Sequence, residues 1–136
     1  MQSPPQQYAA LPYRVTDVGV EILLITTLDT QRWIIPKGWP MKGRTPAVSA
    51  AKEAFEEAGV RGAVGPAPVG SFVYDKVDRH GVSNRIEVDV FPLRVIRQHK
   101  NWPERKQRGT KWMLLEEAAD SVEEWSLKAL LRAFSV

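Results

Sequence analysis

The sequence predicts an α/β fold, and three observations carry that reading. Segments rich in Val, Ile, Leu and Thr stand on both sides of one sharply bounded helix. That helix, between Thr45 and Gly59, has a face of small residues suited to lying close against a sheet. A second amphipathic helical pattern, Val122 to Phe134, closes the chain.

Taken in order, residues 1 to 11 are Gln- and Pro-rich and are expected to form a flexible tail, followed by a single domain over residues 12 to 136. Tyr13 to Thr27 predicts one or two strands, with Val18, Val20, Ile22 and Leu24 on alternate positions. Asp29 and Thr30 form a turn, Arg32 to Ile35 a short strand, and Pro36 ends it. A glycine-bearing basic loop follows, with Lys37, Lys42 and Arg44 along it. A strand leading through such a loop into a helix is a setting in which backbone can cradle an anion.

Thr45 is the expected N-cap of the helix, Pro46 its first residue and Gly59 its left-handed terminator. On a wheel of about 100° per residue, Ala47, Ala51, Ala54, Phe55 and Ala58 share one side. Ser49, Glu53, Glu56 and Glu57 share the other. Beyond the helix, Arg61 to Pro68 reads as a Gly/Pro-rich connection. Val69 to Val77 and Arg85 to Ile96 read as a long hairpin turning at Asp78 to Gly81, with His80 a turn residue. In its second strand Ile86, Val88 and Val90 share a face. The polar loop Gln98 to Thr110 has one acid, Glu104, among many cations. Lys111 to Leu115 is the last strand. A helical pattern from Glu116 breaks near Asp120 and Ser121, and Val122, Trp125, Leu127, Leu130, Leu131 and Phe134 are the expected core contacts of the final helix.

Composition narrows the function. At 136 residues with 43% hydrophobic and 26% charged, the chain has the length and balance of one globular domain. The absence of cysteine excludes a disulfide framework, zinc thiolate sites and thiol catalysis, and two histidines do not make a multi-histidine metal site. A net charge of +3 suits an anionic ligand but is too small to argue for nucleic acid. The five tryptophans do not interleave with cations as stacking platforms do. Neither a signal-peptide core nor a membrane-length apolar run is present, so a cytoplasmic protein without a membrane partner is expected.

The acidic helix face is a poor stability device. Glu53 lies three and four residues before Glu56 and Glu57, and like charges at that spacing cost about 0.2–0.5 kcal/mol per pair. They also fall near the negative end of the helix dipole. A solvated acidic face is the plain alternative. A hard divalent cation such as Mg²⁺ or Mn²⁺ reverses the argument, because clustered carboxylate oxygens are its natural ligands.

The stretch Gly38 to Val60, GWPMKGRTPAVSAAKEAFEEAGV, resembles the signature box of the Nudix (MutT-like) hydrolases. Gly38, Glu53, Ala54, Glu56, Glu57, Gly59 and Val60 fall on that pattern without a gap. Arg44 stands where the box has its first Glu, and Lys52 where it has its Arg. Trp112 before a Leu-Leu-Glu-Glu-Ala run is similar to the closing strand and helix of that family.

The resemblance implies an α/β/α sandwich with a mixed β-sheet between helices. It also implies metal-dependent hydrolysis of a diphosphate linkage in a small molecule. On this reading Glu53 and Glu57 are metal ligands, Glu56 joins them directly or through water, and the Gly38 backbone carbonyl completes the shell. Glu104, the one acid of the loop before the last strand, is the candidate general base, with a surface ion pair to a neighbouring Arg as the alternative. Lys37, Lys42 and Arg44 are the expected phosphate contacts, with a solvated basic loop as the alternative. The IPKGWP run and the cations from Arg105 to Lys111 are similar to the branch handling diphosphoinositol polyphosphates and dinucleoside polyphosphates, with another nucleoside diphosphate derivative as the alternative substrate. The family is often dimeric, so a homodimer is also implied. The rival function is a non-catalytic module of the same fold that binds an anion or nucleic acid.

Overall fold

The computed structural model describes residues 4–136. Eight strands form one mixed sheet: β1 (Gln6–Thr16), β2 (Gly19–Thr26), β3 (Trp33–Ile34), β4 (Lys37–Gly38), β5 (Val60–Val64), β6 (Gly70–Val77), β7 (Ser83–Gln98) and β8 (Thr110–Leu114). Helix α1 (Pro46–Ala58) lies between β4 and β5 in the chain, and α2 (Leu115–Ser121) and α3 (Trp125–Ala133) end it. The main strand order is β3-β2-β1-β7-β5, with β4 on β1, β6 on β7 and β8 on β2. The β1–β7 pair is parallel and the other pairs are antiparallel.

Ala9 to Pro12 in β1 and Ile22 to Ile25 in β2 are buried without alternation. Consecutive burial means that both faces of the central strands are covered, as a sheet between helices requires. Helix α1 packs along β1 and β5, α2 on β2 and β8, and α3 on β6. This is the mixed α/β architecture the sequence predicts.

Helix α1 has the expected ends. The Thr45 hydroxyl accepts from Val48 N at 3.2 Å. Pro46 opens the helix, and Gly59 at φ 72° donates its N–H to the Phe55 carbonyl. The buried arc is rotated from the expected one. Ala47, Ala50, Ala54 and Ala58 face the sheet, joined by Ser49 and Glu57, while Ala51 and Phe55 are only half-buried. A solvated acidic face is therefore excluded at Glu57, which is 4% exposed.

Three other expectations are corrected. The sequence predicts a flexible tail over residues 1 to 11; residues 1 to 3 lie outside the described residues, but Gln6 to Leu11 belong to β1. They pair in parallel with β7 from Glu87 to Pro92, and the Gln7 amide is buried. Within the expected connection Arg61 to Pro68, residues 61 to 64 are instead part of β5, paired with β7 at the sheet edge. Gly62 makes that pairing possible, because a Cβ there would run into the Arg94 carbonyl. Trp125 is 76% exposed rather than a core contact, while Val122, Leu127, Leu130 and Leu131 are buried as expected.

Candidate active site

Four segments converge on the last turns of α1. From β4, the Lys37 N–H donates a long hydrogen bond of 3.4 Å to Glu57 Oε1. From the loop before β8, the Glu104 N–H donates to the Glu56 carbonyl at 3.0 Å. The Arg108 guanidinium donates to the Thr26 carbonyl at the end of β2 (3.0 Å). From β6, the Tyr74 ring lies under the Lys37 ammonium at 4.4 Å.

Close packing fixes this meeting. A Cβ at Gly38 would occupy the space of the Glu53 carboxylate, so glycine lets the loop backbone lie directly on that side chain. A Cβ at Gly59 would likewise overlap the Trp102 indole, which seats the 101–109 loop against the helix end. The Ser49 hydroxyl accepts from Met41 N at 3.4 Å and ties the basic loop to the first half of α1.

Arg108 is the central cation and is only 12% exposed. It stands 2.8 Å from Glu104 Oε1 and 3.8 Å from Glu57 Oε1. Burial pushes the Glu57 carboxyl up to about 9, its hydrogen bond with Glu53 adds to this, and Arg108 opposes it. Burial raises Glu53 as well; the hydrogen bond with Glu57 opposes that, and the charges of Glu56 and Glu104 add to it. Burial lowers the Lys37 pKa, with Glu57 pulling the other way. Tyr74 is pushed up to about 12, mainly by burial, and its hydroxyl donates to Gln7 Oε1 at 2.7 Å.

Glu57, Lys37, Arg108, Arg32, Tyr74 and Lys76 line a cleft of about 490 Å³. Glu57 is its buried carboxylate; Asp29 and Asp75 also line it, against the four cations Lys37, Arg32, Lys76 and Arg108. Those cations can hold an anionic ligand beside the Glu57 carboxyl.

The residues fit a hard divalent ion in two respects. The Glu53–Glu57 pair is oxygen-only, and burial raises the pKa of both carboxyls, a cost that a bound cation would offset. The Gly38 backbone lies against the Glu53 carboxylate, where a side chain would intrude. No three His, Asp or Glu side chains among the described residues stand together as a finished cage, so the formed part is the Glu53–Glu57 pair.

The other expected residues divide. Glu104 is brought to the site: its N–H bonds the Glu56 carbonyl at 3.0 Å, and its carboxylate pairs at 2.8 Å with Arg108, which stands 3.8 Å from Glu57. Lys37 lines the cleft, but Lys42 is exposed on the loop and does not. Arg44, which precedes the helix cap, lines a different cavity together with Lys52 and Glu56 of α1. Sequence reasoning did not single out Arg108, Arg32, Tyr74 or Gln7. Arg108 looks like the other cations of its loop, and only the tertiary pairing distinguishes it.

A NUDIX domain family model matches residues 6–134. Nudix hydrolase 12, mitochondrial, of Arabidopsis thaliana is 29% identical over 142 residues, covering 88% of this chain and 68% of the relative. Nudix hydrolase 21, chloroplastic, of the same plant is 32% identical over 133 residues, covering 95% and 65%. The chain thus spans about two thirds of the length of these relatives. A C. elegans Ap4A hydrolase structure superposes with TM-score 0.66 at 19% identity, covering 96% of this chain and 95% of that one. The NUDIX domain of Shewanella oneidensis NrtR, complexed with ADP ribose, gives 0.69 at 12% identity, covering 98% and 88%. At those identities the likeness is one of fold. No helix among the described residues is long and apolar enough to cross a membrane.

Proposed function

The chain belongs to the Nudix family, and from that premise we propose that it is a metal-dependent pyrophosphohydrolase, cleaving a phosphoric anhydride linkage in a phosphate-rich small molecule by attack of water at phosphorus. The observation that carries this reading is a carboxylate pair, half-buried Glu53 and buried Glu57, beside a cleft walled by Lys37, Arg32, Lys76 and Arg108. Buried like charges are costly unless something compensates them. A fold could avoid that cost by replacing either Glu with an apolar residue.

In this proposal Glu53 and Glu57 would hold Mg²⁺ or Mn²⁺, Glu56 would join them directly or through water, and the Gly38 backbone, which packs on the Glu53 carboxylate, would offer its carbonyl. When bound, the metal supplies charge neutralisation on phosphate oxygens and a lowered pKa for the attacking water. Lys37 and Arg108 orient the phosphate chain in the cleft. Arg32 lines the same cleft and is held in place by its ion pairs with Glu124 and Glu123. Glu104 accepts the proton of the attacking water, and its 2.8 Å ion pair with Arg108 fixes where that carboxylate stands. Little covalent chemistry is left to the protein beyond positioning and electrostatics.

The spread of cations suits a ligand with several phosphates, and we extend the proposal to dinucleoside polyphosphates and diphosphoinositol polyphosphates. The structural likeness to an Ap4A hydrolase and to an ADP-ribose-bound domain is compatible with that class. The proposed compartment is the cytoplasm, although the curated relatives named above are mitochondrial or chloroplastic.

A second reading is an anion-binding module without turnover. Arg44 and Lys52, where the family box has Glu and Arg, favour it. Chromatographic detection of hydrolysis products from diadenosine polyphosphates, diphosphoinositol polyphosphates, nucleotide sugars and nucleoside triphosphates, with Mg²⁺ or Mn²⁺ and then with EDTA, separates the two. Turnover that EDTA abolishes supports the enzyme. Binding of the same compounds without turnover in either metal supports the module.

A further inference from the structure

A second cavity, of about 310 Å³, lies on the other side of α1, between the helix and the edge strand β5. It shares no lining residue with the Glu57 cleft. Arg44, Lys52 and Arg61 stand around it over a partly apolar floor that includes Phe55 and Leu93. The only carboxylate in its lining is Glu56.

None of the three cations makes an ion pair among the described residues. Arg61 rests on the Phe55 ring at 3.8 Å, which fixes the guanidinium and leaves its edge for an oxyanion. Further positive charge lies close by. Arg97 of β7 is in register with Arg61, and Arg94 is in register with Ala63. The field reaches His99, whose pKa is lowered by burial and then by the charges of Arg97 and Arg61. Like charges gathered around one concave space, with a single carboxylate among them, are relieved by an anion held between them.

We propose that this cavity is a second anion site, which takes a small molecule bearing a phosphate or diphosphate group. Arg44, Lys52 and Arg61 hold the charged oxygens, and Val48, Ala51 and Phe55 border the rest of the ligand. Arg44 precedes the helix cap, Lys52 lies in the helix, and Arg61 lies on the sheet edge. A single bound anion therefore links three elements. Glu56 is shared between this cavity and the helix turn that carries Glu57, so occupancy also stiffens the end of α1 that bears the carboxylates.

The test is a ¹H–¹⁵N titration of the full chain with methylenediphosphonate, a non-hydrolysable diphosphate, in EDTA. Saturable shifts are expected at the Lys52 and Gly62 amides. The Arg44→Ala/Arg61→Ala double variant should weaken that response by about tenfold or more. Lys76→Ala, in the other cleft, should leave it unchanged. Both arginines are exposed, and the same spectra report whether the variant is folded. Lys52→Gln is an independent single test of the same loss. The proposal is overturned by shifts confined to Lys37 and Tyr74, by no shift at Lys52 and Gly62, or by a response there that survives removal of the cations.

Discussion

Arg108 and Glu104 form an ion pair of 2.8 Å at the edge of the carboxylate site, and the same guanidinium reaches Glu57 at 3.8 Å. One side chain thus compensates both the acid proposed as base and the buried carboxylate on the helix. It also fastens the loop to β2 through the Thr26 carbonyl.

Arg108→Ala should therefore destabilise the fold and impair the site together. Hydrogen bonds to charged groups are worth about 1.5–3 kcal/mol, and a loss of that order is expected in urea unfolding. Arg108→Lys should recover part of the stability but not the two-sided geometry, since an ammonium cannot span both carboxylates as a planar fork does. Equal unfolding midpoints for the wild type and Arg108→Ala would show that the pair is solvated and carries no structural weight.

Glu57→Gln separates folding from function. The amide fills the same space and removes a carboxyl whose ionisation burial opposes. Stability in metal-free buffer should hold or rise. If Glu57 is a ligand, metal-dependent turnover should fall by about 10²-fold or more. Retention of full turnover by a folded Glu57→Gln protein would remove Glu57 from the metal site.

Gly38→Ala tests the contact between loop and helix without changing any charge. The added Cβ falls on the Glu53 carboxylate, so either the carboxylate or the β4 backbone must move. Turnover and Mn²⁺ affinity should drop together, while unfolding changes less than in Arg108→Ala. An unchanged Mn²⁺ isotherm would mean that Glu53 does not ligate from its present position.

Much of this site was legible in the sequence because its signals are local. The Thr45 cap, the Gly59 terminator and the Glu53–Glu57 spacing all follow from neighbouring residues and helical period. Signals that depend on distant pairing were not legible. Gln6 to Leu11 look like a tail by composition, yet they form a central strand because β7 runs parallel beside them. Gly62 reads as a loop glycine, but its missing side chain lets β5 meet β7. Arg108 is one of several similar cations until the fold brings Thr26, Glu104 and Glu57 around it. Arg44 and Lys52 were legible as departures from the box, but the cavity they share with Arg61 depends on the β5 pairing that local composition hides.

Gly59 joins the helix end to the loop that delivers Glu104 and Arg108. Its φ of 72° is strained for a residue with a side chain, and a Cβ would also overlap Trp102. Strain of that kind costs about 1–3 kcal/mol, so Gly59→Ala should lower the unfolding midpoint. The variant should also loosen residues 101–109, because Trp102 must move to admit the methyl group. Hydrogen exchange at the Glu104 amide, which is bonded to the Glu56 carbonyl at 3.0 Å, reports that movement directly. Faster exchange there, in a protein whose β1 and β7 amides remain protected, would establish that the helix terminator also positions the loop. Uniformly faster exchange would assign Gly59 a role in global stability alone.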